Sequence, residues 1–104
     1  MAGANSGLLR LALVQGLIRL SVELGITHWA AIMEPTLLRL LKSTAIYFNS
    51  IGKPVEYHGL RQPCYIPIEA LLARVYEEQP GIWEFLTDGG RLWPEPPRWA
   101  AAQF

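Results

Sequence analysis

Apolar and polar positions change rhythm several times along the chain, and each change marks an element. From Leu8 to Leu24 nearly every position is Leu, Ile, Val or Ala, interrupted by Arg10, Gln15, Arg19 and Glu23. Gln15, Arg19 and Glu23 recur at spacing four, which on a helix places them in one narrow water-facing stripe. Ser6 suits an N-cap and Gly25 the position just past a C-terminus. A helix of about 18 residues between them would be ~27 Å long. So apolar a helix is expected to be deeply buried.

Ile26–Met33 shows neither a helical stripe nor clean alternation. A short apolar run between Gly25 and Pro35 reads as a strand buried on both faces, and such strands are usually central and parallel. Glu34-Pro35 opens a second helix, because proline is favoured in a first turn. It ends near Ser43 or Thr44, with Leu37, Leu38, Leu40 and Leu41 as its core face. Ile46–Phe48 is short and apolar, Asn49–Pro54 is turn-like, and Val55–Ile66 reads as extended, bent or bulged at Gly59 and Pro63. A third helix starts at Pro67 or Ile68 and runs to about Glu78, with Leu71, Leu72, Val75 and Tyr76 on one face. Pro80 restarts a short helix through Trp83, Phe85 and Leu86, which Gly89-Gly90 ends. The chain thus divides into a disordered start at 1–7, a folded unit at 8–92 and a Pro-rich tail at 93–104. The first helix feeds a strand but no strand precedes it, so the pattern resembles the second half of an α/β domain whose N-terminal half is missing.

Composition narrows the function. The chain is 51% hydrophobic and 17% charged, which argues against disorder and for extensive burial, including surface hidden by a partner. Nine basic and nine acidic residues leave no field to attract nucleic acid. "ELGIT" resembles the turn of a helix-turn-helix, but the segment after it begins with an apolar run and lacks base-reading side chains near its start. A single cysteine excludes an internal disulfide and fits a cytoplasmic location. The charged residues of Leu8–Leu24 argue against a membrane span, and its flanks argue against a signal peptide.

Chemistry concentrates in "YHGLRQPCYIP", Tyr57–Pro67, which holds one of two histidines and the cysteine. His58, Cys64 and the distant His28 do not supply paired ligand spacings, so no metal site is expected. A Cys–His nucleophile needs the two side chains in contact. In an extended strand positions 58 and 64 lie roughly 20 Å apart at ~3.3 Å per residue. Arg61 suits either a phosphate or carboxylate partner or a solvated edge charge. Glu34 suits either a carboxylate that orients or deprotonates an amine, or a first-turn charge favoured by the helix dipole. Trp29, Ala31 and Met33 project to one face of their strand and Ala30 and Ile32 to the other. Either they line a ligand channel or they are ordinary core.

Three blocks, "GITHWAAIMEPTLLRLL", "FNSIGKPVEYHGLRQPCY" and "WEFLTDGGRLWP", resemble the C-terminal half of the acyltransferases associated with PEP-CTERM/exosortase systems. Those are similar to the acyl-homoserine-lactone (autoinducer) synthases and N-acyl amino acid synthases. The resemblance covers about Leu8 to Pro94. It implies a partial GNAT fold, an α/β three-layer mixed sheet with flanking helices. It further implies an activity: transfer of an acyl group from acyl-CoA or acyl carrier protein to an amine, by direct attack on the thioester. Leu8–Leu24 would be the helix after the phosphate turn. The strand at Ile26–Met33 would splay from its predecessor, admit the pantetheine arm and line the acyl pocket through Trp29, Ala30, Ala31, Ile32 and Met33. Glu34 is the candidate catalytic residue, and His58 and Arg61 are candidate polar contacts. "MAGANSG" lacks the family's glycine-rich turn, and the early strands are absent. The chain is therefore expected to be inactive alone, and to work with a separate N-terminal half or as a homo-oligomer. The other expectation is a non-catalytic oligomeric half-domain or interaction protein.

Overall fold

The computed structural model describes residues 2–95. It is an α/β domain of eight elements: α1 (Ala2–Leu24), β1 (His28–Met33), α2 (Pro35–Lys42), β2 (Asn49–Ser50), β3 (Val55–Glu56), β4 (Leu60–Pro67), α3 (Ile68–Glu78) and α4 (Pro80–Leu86). α1 runs through Ser6 rather than starting there, and takes in residues assigned above to a disordered start. It ends as its sequence requires. Gly25 has φ +72°, its N–H donates to the Val22 carbonyl, and the Ile26 N–H donates to the Ser21 carbonyl at 2.8 Å. This paired closure needs a left-handed residue, which glycine supplies without a Cβ clash. Pro35 opens α2 behind an extended Glu34, and Pro80 stands in the first turn of α4. Only Trp93–Glu95 of the Pro-rich tail lie within the described residues.

Every strand pairing is antiparallel, not mixed, and β4 is the hub. β1 pairs along one side of it, from His28↔Pro67 to Met33↔Gln62. β2 and β3 pair along the other side through Asn49↔Tyr65 and Val55↔Arg61. Between those last two ladders, Ile51–Pro54 oppose only Gln62 and Pro63. This wide bulge turns at Gly52 (φ +66°) and is held by the Gln62 side-chain amide, which donates to the Gly52 carbonyl. Pro63 sits opposite the bulge. Its carbonyl accepts from the Ile51 N–H, so its missing N–H faces a gap that needs no donor.

β1 is therefore an edge strand, not a buried parallel one. Its exposure alternates residue by residue, with Trp29, Ala31 and Met33 half-buried and His28, Ala30 and Ile32 exposed. The core lies on the face that bears Trp29 and Ile66. It joins Ile18 of α1, Leu41 of α2, Ile46, Ile68, Leu71, Leu72 and Val75 of α3, and Trp83 and Leu86 of α4. α3 follows its expected face, with Leu71, Leu72 and Val75 buried. The other sheet face is largely open, with α2 at one corner, so the three-layer arrangement is not completed among the described residues.

α1 departs furthest from expectation. Of its side chains from Gly7 onward only Ile18 and Ser21 are buried, and Arg10, Leu11, Val14 and Gln15 are partly covered. Leu9, Leu13, Leu17, Leu20 and Leu24 are 50–68% exposed. At 100° per residue they form a second apolar stripe beside the buried one. Gln15 is not part of the water-facing stripe with Arg19 and Glu23. Its side-chain amide donates to the Phe85 carbonyl at 2.7 Å, which ties α1 to α4. In α2 the expected core face is also thinner: Leu41 is buried, but Leu37 and Leu40 are exposed.

Candidate functional site: an apolar cavity beside an unpaired strand edge

The pleat of β1 sorts the five predicted acyl-side residues. Trp29, Ala31 and Met33 face an apolar cavity of about 420 Å³, and Ala30 borders it. Ile32 points to the other face and lines a separate cleft with Met33, Glu34, Leu37, Leu40 and Arg61. Apart from Leu41, the rest of the first cavity comes from residues that helical periodicity does not single out. Val14 and Leu17 of α1, Ile26 and His28 form one side; Leu41, Ile46 and Phe48 form another. A cavity so lined suits an alkyl chain, because apolar walls exclude water and ask for no polar partner.

Trp29 is fixed in place. Its indole N–H donates to the Ser21 hydroxyl at 2.8 Å, and Ser21 is itself buried. Ser21 is the one hydroxyl between Leu8 and Leu24, and that is the signal that marks it in the sequence. Across the ladder Ala31 sits opposite Cys64, whose thiol donates to the Ala31 carbonyl at 3.5 Å. Burial pushes the Cys64 thiol above its ordinary pKa, which keeps it protonated and inert at neutral pH. His58 lies in the β3–β4 turn with φ +52°, exposed and stacked edge-on against Tyr57 at 4.7 Å. The structure does not bring His58 and Cys64 together as a nucleophile and base.

It does bring Glu34 and Arg61 together. Arg61 Nη1 lies 3.0 Å from Glu34 Oε1, and Arg61 Nη2 donates to the His58 carbonyl at 3.2 Å. The guanidinium thus joins the end of β1 to the β3–β4 turn. Glu34 stands at the end of the strand that walls the cavity, with a partner already on its carboxylate. Among the described residues no three His, Cys, Asp or Glu side chains converge as metal ligands, and no helix is long and apolar enough to cross a membrane.

The edge of β1 follows from the same ladder. In an antiparallel pair a residue directs its N–H and C=O to the same neighbour. Pro63 directs its carbonyl to β2, so Ile32 opposite it points its own groups away from β4. Ala30 and His28 share that parity, whereas the Thr27 carbonyl, of the other parity, accepts from Ile68 on the β4 side at 2.8 Å. The N–H and C=O groups of His28, Ala30 and Ile32 therefore face outward beside the cavity, and β1 pairs with β4 alone among the described strands. No protein-family model, curated protein or solved structure matches this chain.

Proposed function

We propose that this chain is the acyl-side half of a GNAT-like N-acyltransferase, which moves an acyl group from acyl-CoA or acyl carrier protein to an amine. The observation that carries the reading is the apolar cavity walled by Trp29, Ala31 and Met33 of a strand that is unpaired on one side. The order of elements also supports it: a long helix, a strand lacking an outer neighbour, a helix, then an antiparallel end of the sheet. In this reaction the amine nitrogen attacks the thioester carbon, the C–N bond forms, and the C–S bond breaks to release the thiol. The amine gives up its proton to a base. No protein nucleophile is required, in keeping with a buried, protonated Cys64.

The acyl chain would occupy the cavity, and the strand on the far side of the thioester would come from a partner polypeptide. Glu34 follows β1 and lines the separate cleft with Arg61, not the acyl cavity; an acceptor amine there has to compete with Arg61 for its carboxylate.

The test is native mass spectrometry of the purified chain with and without a long-chain acyl-CoA. The expected result is one acyl-CoA per chain, lost in Ala31→Trp, whose indole fills the cavity. No adduct in any assembly state, including with a supplied N-terminal half, overturns the reading. The exposed leucines of α1 favour a second reading, a non-catalytic half-domain held in an oligomer; association without thioester affinity would select it.

A further inference from the structure

We infer that the free edge of β1 is a homodimer interface, in which two copies pair antiparallel through β1 about a twofold axis at Ala30. The inference does not rest on the acyltransferase reading and competes with it at one point: a copy paired along the whole of β1 leaves no outward group there for the strand of a separate N-terminal half. It rests on the strand's chemistry, on its self-complementarity and on the apolar side chains that α1 leaves uncovered.

Edge strands that remain single are normally blunted by charge, proline or a bulge. His28-Trp29-Ala30-Ala31-Ile32-Met33 carries no Lys, Asp, Glu or Pro, and β1 has six regularly paired residues without a bulge. An unprotected edge of this kind is a template for another strand.

The register centred on Ala30 uses every outward group. Ala30 exchanges two hydrogen bonds with its own copy, and His28 exchanges two with the copy's Ile32, in both directions. In that register Trp29 lies directly opposite the copy's Ala31 on the cavity side, so a large ring meets a small side chain. On the open face His28 meets Ile32 and Ala30 meets Ala30. No like charges oppose one another. The contact is isologous, as a closed twofold requires.

The surface beside the edge is apolar. Leu9, Leu13, Leu17, Leu20 and Leu24 of α1 are 50–68% exposed. The stripe from Leu9 to Leu24 supplies apolar area next to the edge, since Leu17 lines the cavity that β1 borders.

Sedimentation velocity of the full chain at micromolar concentration tests this without any thioester. The expected mass is twice the 11.7 kDa of one chain. Ala30→Pro removes only an outward N–H and leaves the β1–β4 bonds intact, so it should give a monomer with an unchanged far-ultraviolet circular dichroism spectrum. Ala30→Cys should be joined into a covalent dimer by a short bis-maleimide, because directly opposed Cα atoms in a hydrogen-bonded pair lie about 5.5 Å apart. The wild type, whose only thiol is buried, should not. A monomeric wild type overturns the inference, as does a dimer that survives Ala30→Pro. If Ala30→Pro loses its fold, Ala30→Cys decides: a dimer that does not cross-link there has another interface. A monomer that floats with phosphatidylcholine–phosphatidylglycerol vesicles would assign the apolar surface to lipid and also overturn it.

Discussion

Glu34 and Arg61 meet at 3.0 Å, yet the carboxylate side chain remains 61% exposed. Water screens such a pair, so Arg61→Ala should lower unfolding stability by less than about 1 kcal/mol in urea titration. A larger loss would mean that the contact to the His58 carbonyl organises the β3–β4 turn. Glu78 makes a different prediction. The Arg74 guanidinium, hydrogen-bonded to its carboxylate at 2.6 Å, is the main cause holding its pKa below the usual carboxylate range, and the Tyr47 hydroxyl adds to this. A lowered folded pKa contributes stability that is present above the unfolded pKa and lost as pH falls through the folded one. Glu78→Gln should therefore lower the neutral plateau slightly, flatten the acid limb and leave stability at low pH unchanged, as read from melting temperature against pH. Cys64 is raised instead, so thiol reagents should label it slowly in the folded chain and rapidly in denaturant.

Among the elements, α1 separates covered from uncovered positions sharply. Ile18→Ala should cost about 2–5 kcal/mol because it empties a filled core site. Leu8→Ala, on an exposed part of the same helix, should stay within ~0.5 kcal/mol. Gly25→Ala should cost about 1 kcal/mol by placing a Cβ in the left-handed region that closes α1. Urea unfolding of the three variants checks all of these values. The contrast also explains what the sequence made legible. α3 and α4 were readable because Leu71, Leu72 and Val75 follow a helical period and Pro80 marks a start. β1 was located correctly, but its environment was not. A run such as Trp29-Ala30-Ala31-Ile32 has the same letters whether both neighbours are present or one is missing. Apolar composition states what needs covering, and does not state whether the cover belongs to the same chain. The Glu34–Arg61 contact was unreadable for a related reason, since it depends on the register of β1 against β4.

The whole molecule is lopsided. One sheet face carries the core, while the other face, the β1 edge and one side of α1 remain open. A hydrophobic dye such as ANS should fluoresce strongly with monomeric Ala30→Pro and weakly with an assembled wild type. Equal fluorescence would show that assembly leaves the α1 stripe bare. The candidate cavity belongs to this scale too. Trp29, Ala31 and Met33 were readable as one side of a strand, but Val14, Leu17 and Phe48 reach it only through the packing of α1 and of the segment before β2.

The two sides of the sheet also differ in what they permit next. Beyond β4, the outer border consists of two-residue strands broken by the segment Ile51–Pro54, with Lys53 and Pro54 within it. Nothing regular can be laid against such a border. A sheet with one stopped end and one live end cannot propagate: when two live ends join, only stopped ends remain. The same irregularity that shortens β2 and β3 therefore sets the count at two, and keeps a chain with a bare apolar strand from growing into a fibre.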